Sequence, residues 1–123
     1  MATYALHRKF SCPVELALEV LNGKWKTVIL AHLKQGSLRY AELRLLIPSL
    51  SDKMLTERLR DLEEFGLILR HKHGGRGAPS RYELTRRGRS LGPVLQGLYD
   101  WGESIADEVG ATIELAEPRR SVK

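Results

Sequence analysis

The stretch that most constrains this chain is residues 51–65, SDKMLTERLRDLEEF, followed by Gly66. At 100° per residue, Met54, Leu55, Leu59, Leu62 and Phe65 gather on one side, and Lys53, Thr56, Glu57 and Arg60 on the other. Pro48 ends the element before it. Ser51 suits an N-cap, and Gly66 suits the positive φ that often closes a helix. The pattern predicts an amphipathic helix of roughly four turns pressed on a small core. Its outer face divides unevenly: hydrogen-bonding side chains occupy the N-terminal half, and Glu63 and Glu64 the C-terminal half. A helix entering a DNA major groove by its N-terminal half needs that division, with donors near the bases and carboxylates where the helix leaves the phosphates. An ordinary surface helix of mixed charge fits the same pattern, so the neighbouring segments decide between the two.

At 123 residues the chain is long enough for one real core, and a 42% hydrophobic content is that of a globular domain. The apolar runs are far too short to span a membrane, and the N-terminus, MATYALHRKFSC, lacks the apolar core of a secretory signal. A single cysteine excludes an internal disulfide framework and suits a reducing cytoplasm.

Residues 1–11 read as an arm with Tyr4, Leu6 and Phe10 to pack, for instance on a second subunit. Cys12-Pro13 opens a short, mostly buried helix carrying Val14, Leu16, Ala17, Leu18, Val20 and Leu21. A second helix is expected over residues 24–34, with Trp25, Val28, Ile29 and Leu33 as its core stripe. Residues 37–39 allow only a turn or a small edge strand. A third helix follows over 40–47, with Leu43, Leu46 and Ile47 inward, and then the helix at 51–65. Beyond Gly66 the period changes: residues 67–73 and 80–84 read as two strands around the loop Gly74-Gly75-Arg76-Gly77-Ala78-Pro79. Thr85 caps a last, long helix in which Leu91, Leu95, Leu98, Gly102, Ile105 and Val109 form a heptad-like seam, with Pro93 as a bend or restart. The division is an arm (1–11), a domain (12–110) whose last helix spans about 85–110, and a tail (111–123). Three helices, a short strand, a recognition-type helix and a glycine-rich hairpin make a winged helix-turn-helix, mainly α with a small β-hairpin.

The charge follows the hairpin. Residues 70–89 hold seven basic side chains and one acidic one, more than the net +5 of the whole chain, so the remainder is close to neutral. A phosphate-binding surface is clustered in this way. Arg76, between glycines at the tip, has the form of a side chain inserted into a narrow minor groove; the alternative is a solvated surface arginine.

The sequence resembles the HxlR-type winged-helix transcriptional regulators, relatives of the MarR group. The residues that carry the resemblance are Cys12-Pro13-Val14-Glu15, Gly23-Lys24-Trp25-Lys26, Leu38-Arg39-Tyr40-Ala41-Glu42-Leu43-Arg44 and Ile47-Pro48. They continue through Ser51, Lys53-Met54-Leu55-Thr56, Leu59-Arg60-Asp61-Leu62-Glu63, Gly66-Leu67, Tyr82-Glu83-Leu84-Thr85, Gly88-Arg89-Ser90-Leu91 and Pro93-Val94-Leu95. The resemblance implies a dimeric DNA-binding regulator, often a repressor, without catalytic activity. In it the helix at 51–65 reads the major groove, and the last helix and N-terminal segment build the dimer. It also implies a sensing role for Cys12, since several such proteins detect oxidants, electrophiles or aldehydes through a cysteine at the matching position. The hairpin departs from the family pattern: Gly74-Gly75-Arg76-Gly77 stands where an acidic or Pro-rich wing is common.

The candidate DNA contacts are Lys53, Thr56 and Arg60 toward base edges or phosphates, Ser51 and Arg39 toward the backbone, and Arg76 from the wing. For Ser51 and Arg39 the alternative is capping and surface charge; Glu57 is best read as an ion pair with Lys53. Cys12 stands where a helix dipole favours a thiolate, the alternative being a small buried hydrophobe. His71 and His73 share a strand face, but no carboxylate or cysteine clearly completes a metal site; Trp25 and Trp101 read as core or interface packing. No nucleophile–base pair, phosphate loop or metal set points to an enzyme, and no cofactor is implied. The expected partners are a pseudo-palindromic double-stranded operator, a second copy of the chain, and a small-molecule or oxidant effector, with no membrane. A winged-helix module that docks proteins without reading DNA is the alternative class.

Overall fold

The computed structural model describes residues 8–72 and 80–114. The elements run α1 (Pro13–Leu21), α2 (Lys26–Leu33), β1 (Leu38–Arg39), α3 (Tyr40–Leu46), α4 (Asp52–Glu64), β2 (Ile68–Lys72), β3 (Ser80–Leu84), α5 (Arg86–Arg89) and α6 (Gly92–Ile105). The expected winged helix-turn-helix is the observed fold. Residues 38–39 are indeed a small edge strand. They pair with β3 to give an antiparallel sheet of order β1-β3-β2, with Leu38 opposite Tyr82 and Ile68 opposite Leu84.

The core lies where α2, α3 and α4 meet this sheet. Ile29, Leu30 and Leu33 of α2, Leu43 of α3 and Leu55, Leu59 and Leu62 of α4 are buried against Leu38, Leu67, Ile68, Tyr82 and Leu84. α4 is fixed at both ends by its own sequence. The Ser51 hydroxyl accepts from Met54 N at 3.1 Å. At the other end Gly66 adopts φ 76°, its N–H donates to the Glu63 carbonyl at 3.0 Å, and Leu67 N–H donates to the Leu62 carbonyl at 2.9 Å. That pair of bonds is a Schellman closure, and the buried Leu62 and Leu67 supply its apolar contact.

Three expectations need correction. α1 is not mostly buried: none of its residues is, and Val14, Leu16 and Leu18 are 63%, 41% and 63% exposed. The helix touches the core through Val20 and Leu21 near its C-terminus, so its apolar stripe faces outward in the single chain. α2 starts later than expected. Trp25 is its N-cap, half-buried and left-handed at φ 83°, so the buried apolar side chains are Ile29, Leu30 and Leu33, while Val28 is exposed. Finally, Thr85 caps the four-residue α5, its hydroxyl accepting from Gly88 N at 3.0 Å. The chain turns through Ser90 and Leu91, and α6 restarts with Pro93 in its first turn, where a missing N–H costs nothing.

Among the described residues Lys26 is the buried charge, 4% exposed. Its Nζ donates to the Val20 carbonyl at 3.2 Å and stands 4.9 Å from the centre of the Phe65 ring. Burial holds its pKa below the usual lysine value. One side chain thus ties the end of α1 and the start of α2 to the end of α4.

Candidate nucleic-acid interface

The helix-turn-helix consists of α3, the turn through Pro48 and Leu50, and α4. A polar cluster braces it. Asp52, in the first turn of α4, accepts from Arg44 Nε at 2.9 Å and from the Tyr40 hydroxyl at 2.8 Å through Oδ1. Arg44 Nη1 also donates to the Leu50 carbonyl inside the turn. The Tyr40 oxygen lies 3.5 Å from Thr56 Oγ1. Its pKa is raised, first by burial and then by the neighbouring Asp52. From the other flank, Arg58 Nε donates to the Lys24 carbonyl at 3.0 Å, and Arg58 Nη1 lies 3.7 Å from Asp61. The angle of α4 is therefore set by charged hydrogen bonds from α3 and from the α1–α2 turn as well as by its leucines.

The outer face of α4 carries Lys53, Thr56 and Arg60, all exposed. Lys53 and Arg60 make no hydrogen bond or ion pair with any described residue. The expected Lys53–Glu57 ion pair is absent among the described residues; Glu57 instead lies 4.0 Å from Arg58 Nη1, because Arg58 is drawn across the helix toward Lys24. Ser51 is the cap of α4, as its residue type suggested. Arg39 sits at the start of α3, where its backbone N–H donates to Glu42 Oε1 at 2.8 Å and its Nε lies 3.8 Å from the same atom. Arg76 and His73 lie outside the described residues. His71 Nε2 stands 3.6 Å from Glu83 Oε2, and among the described residues no group of three or more His, Cys, Asp or Glu could hold a metal.

The arginines of residues 70–89 divide into two kinds. Arg81 binds the Ser37 hydroxyl at 3.0 Å, Arg87 the Phe65 carbonyl at 2.7 Å and Arg89 the Leu84 carbonyl at 3.1 Å. Arg81 joins the hairpin to the residue before β1, Arg89 joins α5 to the hairpin, and Arg87 joins α5 to the end of α4. Arg70, Lys72 and Arg86 are exposed and unpaired among the described residues. An open groove beside α4 brings Arg60, Arg70 and Arg86 together over Leu69, with Glu63, Glu64 and Arg87 in the same lining, so three of the unpaired cations meet two carboxylates there.

Cys12 is the N-cap residue of α1, with extended backbone and an exposed side chain. The single chain does not bury it, and α1, which it opens, is the helix whose apolar side chains this chain leaves exposed. Beside it, Glu15 accepts from the Ser11 N–H at 2.7 Å and the Ser11 hydroxyl at 2.9 Å, and these bonds lower its pKa.

A braced helix-turn-helix followed by a strand pair and a terminal helix defines the winged helix-turn-helix DNA-binding regulators. The chain belongs to the HxlR-like helix-turn-helix family, whose model matches residues 20–109. It is 42% identical over 98 residues to the HTH-type transcriptional regulator YdeP of Bacillus subtilis (strain 168), covering 80% of this chain and 77% of that protein. It is also 42% identical over 111 residues to YtcD of the same organism, covering 89% and 88%. Among solved structures it is similar to the redox regulator HypR in its reduced form, at TM-score 0.76 and 37% identity over 80% of this chain and 98% of that one. The chain is thus a DNA-binding transcriptional regulator of the helix-turn-helix type and not an enzyme. No helix among the described residues is long and apolar enough to cross a membrane.

Sequence reasoning missed Tyr40, Arg44, Asp52 and Arg58 as the braces of α4, and Lys26 as its anchor. Asp52 and Thr56 stand four apart, a spacing that puts both on one helix face, and that was the one available signal.

Proposed function

We propose that the chain works as a homodimer that binds a pseudo-palindromic operator, represses transcription there, and changes its DNA affinity when Cys12 is oxidised. The observation that carries the DNA reading is the solvent face of α4: the unpaired Lys53 and Arg60 flank Thr56 on a helix braced from behind. In this reading Lys53, Thr56 and Arg60 face the bases and nearby phosphates, Ser51 and Arg39 the backbone, and Arg76 adds a contact from the hairpin tip. Dimerisation is supported by apolar surface that the single chain leaves uncovered: Val14 and Leu18 on α1, and Leu98, Tyr99 and Trp101 on α6. The sensing role is supported by the exposed Cys12 and by similarity to HypR, titled a redox regulator and solved in oxidised and reduced forms.

Selection from a random duplex pool with reduced protein, repeated after a mild thiol oxidant, tests all of this. The expected result is an enriched two-fold-symmetric sequence, with half-sites roughly 10 base pairs apart or a multiple of one turn, that is lost or shifted by the oxidant. The double variant Lys53→Ala with Arg60→Ala should lose the enrichment and flatten the dependence of log affinity on log salt by about 0.9 for each phosphate contact removed. A double variant that selects the same sequence with the same salt slope refutes the α4 assignment. Salt-sensitive binding without any enriched sequence favours a module that docks other proteins.

A further inference from the structure

We infer that Tyr40 determines what Thr56 can read: by accepting the Thr56 hydroxyl proton it leaves the threonine methyl as the group offered to the major groove, so that Thr56 selects thymine at one position of each half-site. This rests on the reading that α4 enters the major groove.

The argument is one of proton count. A phenol has a single proton to donate. For Tyr40 the nearest acceptor is Asp52 Oδ1 at 2.8 Å, with the Asp52 carbonyl at 3.2 Å. The carboxylate is held in place by Arg44 Nε at 2.9 Å, and a charged acceptor takes the proton in preference to a hydroxyl. The Tyr40 oxygen therefore meets Thr56 Oγ1, 3.5 Å away, with lone pairs, and of the two hydroxyls only threonine has a proton left to give. With Oγ1 turned toward Tyr40, the stiff β-branched side chain has its methyl in one of the other two staggered positions. Thr56 is exposed, so what it shows the solvent is a methyl and a hydroxyl whose proton is drawn toward Tyr40. In the major groove guanine presents two acceptors and wants a donor, whereas thymine presents a methyl that packs against another.

The test starts from the enriched duplex and replaces each thymidine of a half-site in turn with deoxyuridine, which removes only the base methyl. In a fluorescence-anisotropy competition, one replacement should weaken the wild-type protein about fourfold, the value of burying roughly one methyl. Thr56→Val keeps the methyl and should keep that sensitivity, whereas Thr56→Ser should lose it. Tyr40→Phe returns the proton to Thr56 and should raise binding to the duplex carrying guanine at the same position. Thr56 is exposed and outside the buried core, so the Ser and Val pair decides even if Tyr40→Phe disturbs the fold. A wild-type protein indifferent to every deoxyuridine, or a Thr56→Ser variant that keeps the sensitivity, overturns the inference while the α4 reading stands. Failure of the wild-type protein to enrich any sequence overturns both.

Discussion

Replacing Gly88 by alanine separates backbone packing from helix propensity, because the two predict opposite signs. Gly88 is buried in α5, and a Cβ there would stand 2.1 Å from the Leu67 carbonyl oxygen, 3.1 Å from the Leu67 carbonyl carbon and 3.2 Å from Leu84 Cδ2. The first contact is with backbone, in a place where backbone cannot retreat: the same Leu67 oxygen accepts from Thr85 N at 3.0 Å, and the Thr85 hydroxyl donates to the Gly66 carbonyl at 2.5 Å. An ordinary contact requires a shift of about 1 Å, which costs both bonds at the joint between α4, β2 and α5. Overpacking of this kind is worth roughly 1–3 kcal/mol, and the loss of the Thr85 cap adds about 1 kcal/mol. The expected destabilisation is about 3 kcal/mol, a fall of roughly 10 °C in Tm for a chain of this size. If the contact were absent, alanine would instead stabilise by up to about 1 kcal/mol through helix propensity. Urea unfolding followed by far-ultraviolet circular dichroism reads the difference, at one fixed protein concentration because self-association would shift the midpoint. Gly97 of α6, with nothing within 4 Å of its Cβ position, is the control. A Gly88→Ala protein within about 1 kcal/mol of wild type refutes the packing argument.

Lys26 gives a pH prediction with a definite sign. Burial holds its pKa below 10.5, so between the lowered value and 10.5 the unfolded chain binds more protons than the folded one, and stability from this residue rises with pH across that window. The stability of wild type minus that of Lys26→Met should therefore slope upward as pH approaches 10.5; a downward slope contradicts the burial argument. Cys12→Ser should bind DNA as the reduced wild type does but ignore a thiol oxidant, and a variant that still responds rules the thiol out. Leu98→Asp, at a seam residue half exposed in the single chain, should convert a dimer to a monomer in analytical ultracentrifugation and weaken operator binding; a variant that stays dimeric moves the interface elsewhere.

How much could be read in advance differs from element to element. α4 was readable end to end because its cap, leucine stripe and closing glycine are local signals, and Ser51, Leu55, Leu59, Leu62 and Gly66 all serve the roles their spacing suggests. The same method failed on α1, since periodicity reports that an apolar face exists and not whether this chain covers it. It missed the Tyr40–Asp52–Arg44 cluster and the Arg58–Lys24 bond because these join residues from separate elements, and polar side chains carry no periodic mark of burial. Lys26 was hidden for the same reason. The charge of residues 70–89 was counted correctly, but three of its arginines hold carbonyl and hydroxyl oxygens of the fold, a division of labour that composition cannot express.

The interruption between α5 and α6 has a mechanical consequence. The hydrogen bonds of Thr85, Arg87 and Arg89 bolt α5 to the hairpin and to α4, and α6, on its fresh start, is pinned to the core by the buried Leu95 and by Lys34 Nζ, which donates to Gln96 Oε1 at 3.4 Å. Beyond Gln96 the rest of α6 is a lever about 13 Å long. In a dimer joined through that lever, a bend of roughly 10° at its root moves the far end by about 2.4 Å, a large part of the rise of one base pair. The lever would then act as the gauge of the operator, and residues far from any base would decide by how many base pairs the two half-sites may be separated.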